Sequence, residues 1–218
     1  MSKVTLIHST PEGDELIAYM ARVSNPANQD NPESSKLIKY LIKHKHWSPF
    51  EMVNMCVEIN TTRSISAQIL RHRSFSFQEF SQRYASVEEL ELPSPPELRL
   101  QDPKNRQNSI TSPEIDKLTW NSAIQLNYFH SYSLYKNLLK AGIAKECARE
   151  VLPMASPTRL YMNGTLRSWI HYCDLRCANG TQKEHREIAD ACKYLIKTQF
   201  PLTYKAIDYS TPTETDQV

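Results

Sequence analysis

The chain has 218 residues, of which 40% are hydrophobic, 23% charged and 9% aromatic, so it can bury one sizeable core but is short for two ordinary domains with a linker. Only four glycines occur, Gly13, Gly142, Gly164 and Gly180, and no two are neighbours, which excludes the glycine-rich phosphate cradles of dinucleotide-binding folds, P-loops and kinases. Twenty-six Lys and Arg against twenty-four Asp and Glu leave a net charge of +2, far from the basic balance of a dedicated nucleic-acid binder.

Val4 to Ile7 is a β-branched run that predicts an opening strand, and Thr10 with Pro11 suits the cap and first position of a helix through Ile17, Met20 and Ala21. Asn31 and Pro32 repeat that signal before a second amphipathic helix with Leu37, Ile38, Leu41 and Ile42 on one face. Its end carries Lys43, His44, Lys45 and His46, cations that a helix C-terminus favours, so the cluster reads as a solvated helix end. Alternation from Met52 to Asn60 predicts a half-buried strand, after which Thr61 and Thr62 can cap a helix holding Ile65, Ile69 and Leu70. Prolines 93, 95, 96, 103 and 113 mark an irregular excursion within one core, not a linker between domains.

Ser112, Pro113 and Glu114 announce a long helix toward Leu139 that Gly142 closes, and a shorter one through Cys147 and Val151 stops at Pro153. Leu160 to Met162 reads as a strand, followed by helices from Leu166 to Cys177 and from Lys183 to Phe200, the last closed by Pro201. The expectation is a single α+β domain over residues 1–218, mostly helical with a modest mixed or antiparallel sheet and a frayed tail at 210–218. The five cysteines are scattered and form no C-x-x-C pair, so neither a disulfide framework nor a metal site is indicated. With no signal-type or membrane-spanning apolar run, the expected compartment is the cytoplasm.

The densest polar passage runs from Arg71-His72-Arg73 through Ser74, Phe75, Ser76, Phe77, Gln78, Glu79, Phe80, Ser81, Gln82 and Arg83 to Tyr84. Alternation predicts an extended segment with Phe75 and Phe77 packed inward and Ser76 and Gln78 turned out. Two readings are open on composition: an arginine-based anion site, because guanidinium offers planar bidentate donors to phosphate, or an exposed salt-bridge face.

Arg71-His72-Arg73, seven residues and then Ser81 resembles the signature of the flavin-dependent thymidylate synthases. Ala21-Arg22-Val23-Ser24, Ser48-Pro49-Phe50-Glu51, Gln68, Ala148 to Pro153, Leu166-Arg167-Ser168 and Leu175-Arg176 follow in the order that family shows. The resemblance implies a homotetramer of α+β fold that makes dTMP from dUMP, with FAD as cofactor, methylene-tetrahydrofolate as carbon donor and NADPH as reductant. By position it implies that Ser24, Arg71, His72, Arg73, Glu79, Arg167 and His171 serve FAD. Gln68, Glu79, Ser81, Gln82, Arg83, Arg149 and Arg176 fall on positions that hold dUMP, Arg176 being the catalytic candidate that stabilises charge developing on the uracil. No enzyme nucleophile is needed, and no cysteine here stands in the Pro-Cys-His setting of the folate-only enzymes. Ser81 lacks a histidine base beside it and reads as a ligand.

Met52 stands where members of that family often have a histidine, Ala67 where an arginine is common, and the Asn179-Gly180 stretch where some members carry a histidine. His171 has a second reading, a satisfied histidine on a buried helix face beside Trp169 and Tyr172. His8, His44, His46, His130 and His185 carry no catalytic expectation. Competing functions are methylation of uracil in RNA, binding of single-stranded nucleic acid by the basic aromatic stripe, and a fold retained without activity.

Overall fold

The computed structural model describes residues 2–87 and 93–207, so the expected tail at 210–218 lies outside the described residues. Four strands form one antiparallel sheet: β1 (Lys3–Ser9), β2 (Asn54–Thr62), β3 (Ser76–Glu79) and β6 (Pro157–Thr165), in the order β1-β2-β6-β3. The predicted short strand at 160–162 is thus nine residues long and central, paired with β2 from Asn54↔Thr165 to Thr62↔Pro157 and with β3 from Ser76↔Asn163 to Glu79↔Leu160. Periodicity missed its length because Arg159, Tyr161 and Asn163 point to the open face and interrupt the apolar run.

The helices are α1 (Gly13–Ala21), α2 (Ser35–Lys43), α3 (Arg63–Ile69), α4 (Lys117–Lys140), α5 (Lys145–Ala148), α6 (Leu166–Arg176), α7 (Lys183–Gln199) and α8 (Pro201–Ala206). Met55, Val57, Ile59, Leu160 and Met162 on one sheet face meet Ile17, Ile38, Trp169, Tyr172, Ile188, Cys192 and Ile196, forming the main core. Trp169 Nε1 donates to the Met55 carbonyl at 2.9 Å, which ties α6 to the sheet from inside that core. A smaller cluster of Val87, Tyr132, Tyr135 and Ala148 lies under α4 and α5. The 93–113 excursion contains a minimal hairpin, β4 (Leu100–Gln101) with β5 (Ser109–Ile110).

Several expected helix starts move inward. Thr10 does not cap α1, which begins at Gly13. Its hydroxyl accepts from the Asn54 amide at 2.9 Å and so belongs to the sheet edge. Asn31 and Pro32 precede α2 by a turn, because the buried Arg22 guanidinium draws the Asn31 and Glu33 carbonyls toward itself. Asp116, not Ser112, caps α4 by accepting from the Thr119 amide at 3.1 Å. Thr62 stands at the N-terminus of α3 without a side-chain cap bond, its hydroxyl engaging Ser64 instead. Pro201 starts α8 as well as ending α7, and Asp14 receives the Leu202 and Thr203 amides and the Thr203 hydroxyl at 2.7, 3.1 and 2.6 Å. Gly142 closes α4 as expected, at φ +81°, where a side chain would be strained.

Candidate active site

The Arg71-His72-Arg73 run falls in the turn between α3 and β3, so its geometry is set by what anchors those two elements. Phe75 is the pin. Its ring meets Trp169 edge-on with centroids 4.7 Å apart and presses on Gly164, where an added Cβ would come within 2.4 Å of the ring. Phe77 follows half-buried while Ser76 and Gln78 face outward, as alternation predicted. Arg71 and Arg73 are then held at the surface, exposed and with no side-chain partner among the described residues.

His72 turns the other way, against Tyr172, with ring centroids 4.9 Å apart. Arg176 at the end of α6 donates Nε–H to His72 Nε2 at 2.9 Å, which requires that nitrogen to be unprotonated and puts the ring proton on Nδ1. Burial, then the Arg176 charge and then His171, push the His72 pKa from the usual 6.5 down to about 4, so the ring is neutral at physiological pH. Arg176 therefore binds His72 through Nε, and its two terminal NH₂ groups have no partner among the described residues. His171, one turn back on the same helix, is exposed, which removes its reading as a buried core histidine. Arg167 at the start of α6 pairs with Glu51, and Ser24 is exposed on the loop that Arg22 organises.

A second group of expected residues gathers where β3 ends. Arg63, Glu79, Phe80, Ser81, Gln82 and Arg149 line a cavity of about 220 Å³. Glu79 is largely buried, and its Oε1 accepts from Ser66 Oγ at 2.6 Å and Thr158 Oγ1 at 2.9 Å and pairs with Arg63 at 2.7 Å. Gln82 Nε2 is buried with no partner among the described residues, a donor awaiting an acceptor. Arg149 supplies positive charge to the cavity, and among the described residues its ion pair is a loose one to the exposed Glu150 at 3.4 Å. Arg83 points away and pairs with Glu146 at 3.0 Å. Ser81 Oγ accepts from the Arg83 amide and has no hydrogen-bonded base among the described residues.

Within one chain, then, the expected nucleotide ligands other than Arg83 fall in two groups at opposite ends of β3. Gln68 and Arg176 lie beside His72, whereas Glu79, Ser81, Gln82 and Arg149 line the cavity. Sequence reasoning missed Arg63 and His185. His185 is fully buried, with Nδ1 at 3.2 Å from Gln68 Oε1 and Nε2 at 3.1 Å from the Tyr172 hydroxyl. A signal existed: His185 is in helical phase with Ile188, Cys192 and Ile196, the buried face of α7.

The thymidylate synthase complementing protein family matches residues 5–202. The chain belongs to that family. Among similar proteins, a probable flavin-dependent thymidylate synthase of Paramecium bursaria Chlorella virus 1 is 53% identical over 206 residues, covering 94% of both chains. A flavin-dependent thymidylate synthase of Synechocystis is 53% identical over 201 residues, covering 92% of this chain and 91% of the relative. Among solved structures, a UMP/dUMP methylase from Streptomyces cacaoi bound with 5-Br dUMP superposes with a TM-score of 0.82 at 28% identity, covering 94% of each chain.

Proposed function

We propose that this chain methylates dUMP to dTMP, with methylene-tetrahydrofolate as carbon donor and FAD, reduced by NADPH, as its cofactor. The observation that supports this beyond family membership is the cluster at the α3–β3 turn. Arg71 and Arg73 present guanidinium groups unpaired among the described residues beside a neutral His72, a donor set that suits a group bearing a pyrophosphate and a planar ring in a chain without a glycine cradle. When bound, reduced FAD supplies hydride to the uracil ring. Ser24, Arg71, His72, Arg73, Glu79, Arg167 and His171 hold it in this reading.

Gln68, Glu79, Ser81, Gln82, Arg83, Arg149 and Arg176 hold dUMP. Arg149 and the Gln82 amide nitrogen meet the phosphate or sugar in the cavity, and the terminal NH₂ groups of Arg176 meet a uracil carbonyl, where they stabilise negative charge as the ring is reduced. His72 fixes the Arg176 guanidinium in that orientation, and its neutrality keeps it an acceptor. No protein nucleophile takes part. Cys173 and Cys192 are buried with thiol pKa values raised by desolvation, and Ser81 has no base.

We further propose a homotetramer in the cytoplasm. Its support is α4, which leaves Leu118, Leu126 and Phe129 exposed at 81%, 56% and 67% along one side of the helix, an apolar stripe that calls for a partner surface. A second chain packed there would also let the two residue groups of different subunits share one nucleotide. Among the described residues no helix is long and apolar enough to cross a membrane.

The test is mass-spectrometric detection of dTMP from purified protein given FAD, NADPH, methylene-tetrahydrofolate and dUMP, with each component omitted in turn. Product that requires all four supports the reading. Turnover of UMP or of uracil in RNA in place of dUMP would overturn the acceptor, and failure to bind flavin would overturn the cofactor.

A further inference from the structure

A line of hydrogen bonds runs from the proline-rich excursion into the core beside His72, and its polarity can be read from one end. Arg99 clamps Glu184 at 2.8 Å, so a carboxylate that can only accept starts the line. Gln182 must face it with its amide nitrogen, and donates Nε2–H at 2.9 Å. The Gln182 oxygen therefore faces Gln68 and accepts from Gln68 Nε2 at 2.7 Å. That leaves Gln68 Oε1 toward His185 Nδ1 at 3.2 Å, so Nδ1 carries the proton, and Nε2 accepts from the Tyr172 hydroxyl at 3.1 Å.

Every amide orientation and the His185 tautomer thus follow from the charge on Glu184. Gln68 ends with its oxygen and one N–H occupied and its second N–H without a partner among the described residues. We infer that this line is a positioning device for the substrate: Glu184 and His185 hold Gln68 as a donor, aimed at an acceptor oxygen of the bound pyrimidine nucleotide. Reversing the line would turn the Gln68 oxygen outward and place two acceptors face to face. The inference deepens the dUMP reading and rests on it, but the line of hydrogen bonds exists without nucleotide and can be tested without it.

Two measurements on the flavin-loaded full chain decide it. Solid-state ¹⁵N NMR of histidine-labelled protein, with the His185 signal assigned by its loss in His185→Gln, should show the Nδ1–H tautomer at neutral pH, and Glu184→Gln should introduce the Nε2–H form. Calorimetric titration with dUMP should show affinity falling about tenfold in Glu184→Gln and in His185→Leu, the scale of one lost hydrogen bond. His185→Gln can both donate to Gln68 and accept from Tyr172, and should stay within about threefold of the parent protein. An Nε2–H tautomer or an imidazolium in the parent protein would overturn the line's polarity. Equal weakening by His185→Gln and His185→Leu would reduce His185 to a packing role and overturn the positioning. A parent protein that binds no dUMP would instead defeat the functional reading, whatever the tautomer.

Discussion

Acid should weaken this fold through His185, by an amount the buried imidazole sets. The ring is fully buried, and desolvation first, then the charges of Arg176 and His72, push its pKa from the usual 6.5 down to about 4. The folded value lies below the unfolded one, so as pH falls through 6.5 the unfolded chain takes up a proton that the folded chain refuses. Stability is lost until the folded ring itself protonates near 4. For one such group the loss between pH 7 and pH 5 is about 2 kcal/mol, and the full shift corresponds to about 3 kcal/mol. Urea unfolding at both pH values, on parent protein and His185→Gln at one protein concentration, isolates this share, because carboxylates and His72 are common to the two. The variant should lose about 2 kcal/mol less than the parent over that interval. Equal losses would refute the reasoning, and would mean that His185 is solvated enough to titrate like a free histidine.

Arg176→Ala should lower turnover of dUMP by about a hundredfold or more, the scale of a lost donor to developing charge. Flavin should stay bound through Arg71 and Arg73, as flavin absorbance of the purified variant would show, and retained turnover would overturn the role given to Arg176. Gly164→Ala should destabilise the chain by about 1–3 kcal/mol in urea unfolding, because the new methyl must displace the Phe75 ring, 2.4 Å from where its carbon would sit. The same shift moves the start of β3, so flavin affinity should fall with it; a variant of parental stability would show that Phe75 does not pin the turn.

The α+β class, the amphipathic α2 and α7, the alternation of β2 and the arginine-rich turn could be read from residue order, because each rests on spacing within a dozen residues. The motif at 71–81 likewise sits on contiguous chain, and its inward and outward faces follow from a period of two. Helix starts could not be read as well. Thr10 and Asn31 look like local caps, yet Asn54 and Arg22 claim them, and those partners are 44 and nine residues away. The central place of β6 was hidden for the same reason: its open face is polar, so only pairing with β2 and β3 gives it nine residues.

The types of the candidate site residues Arg71, His72, Arg73, Gln68 and Arg176 lay in the sequence, since charge and hydrogen-bonding capacity belong to side chains wherever they fold. What only the tertiary structure decided is their state and direction. Burial against Tyr172 makes His72 and His185 neutral, Arg176 assigns the His72 proton, and Glu184 orients Gln68 through Gln182. Those properties depend on solvent exclusion and on partners brought from α3, α6 and α7 to one point, and no local window of sequence contains either.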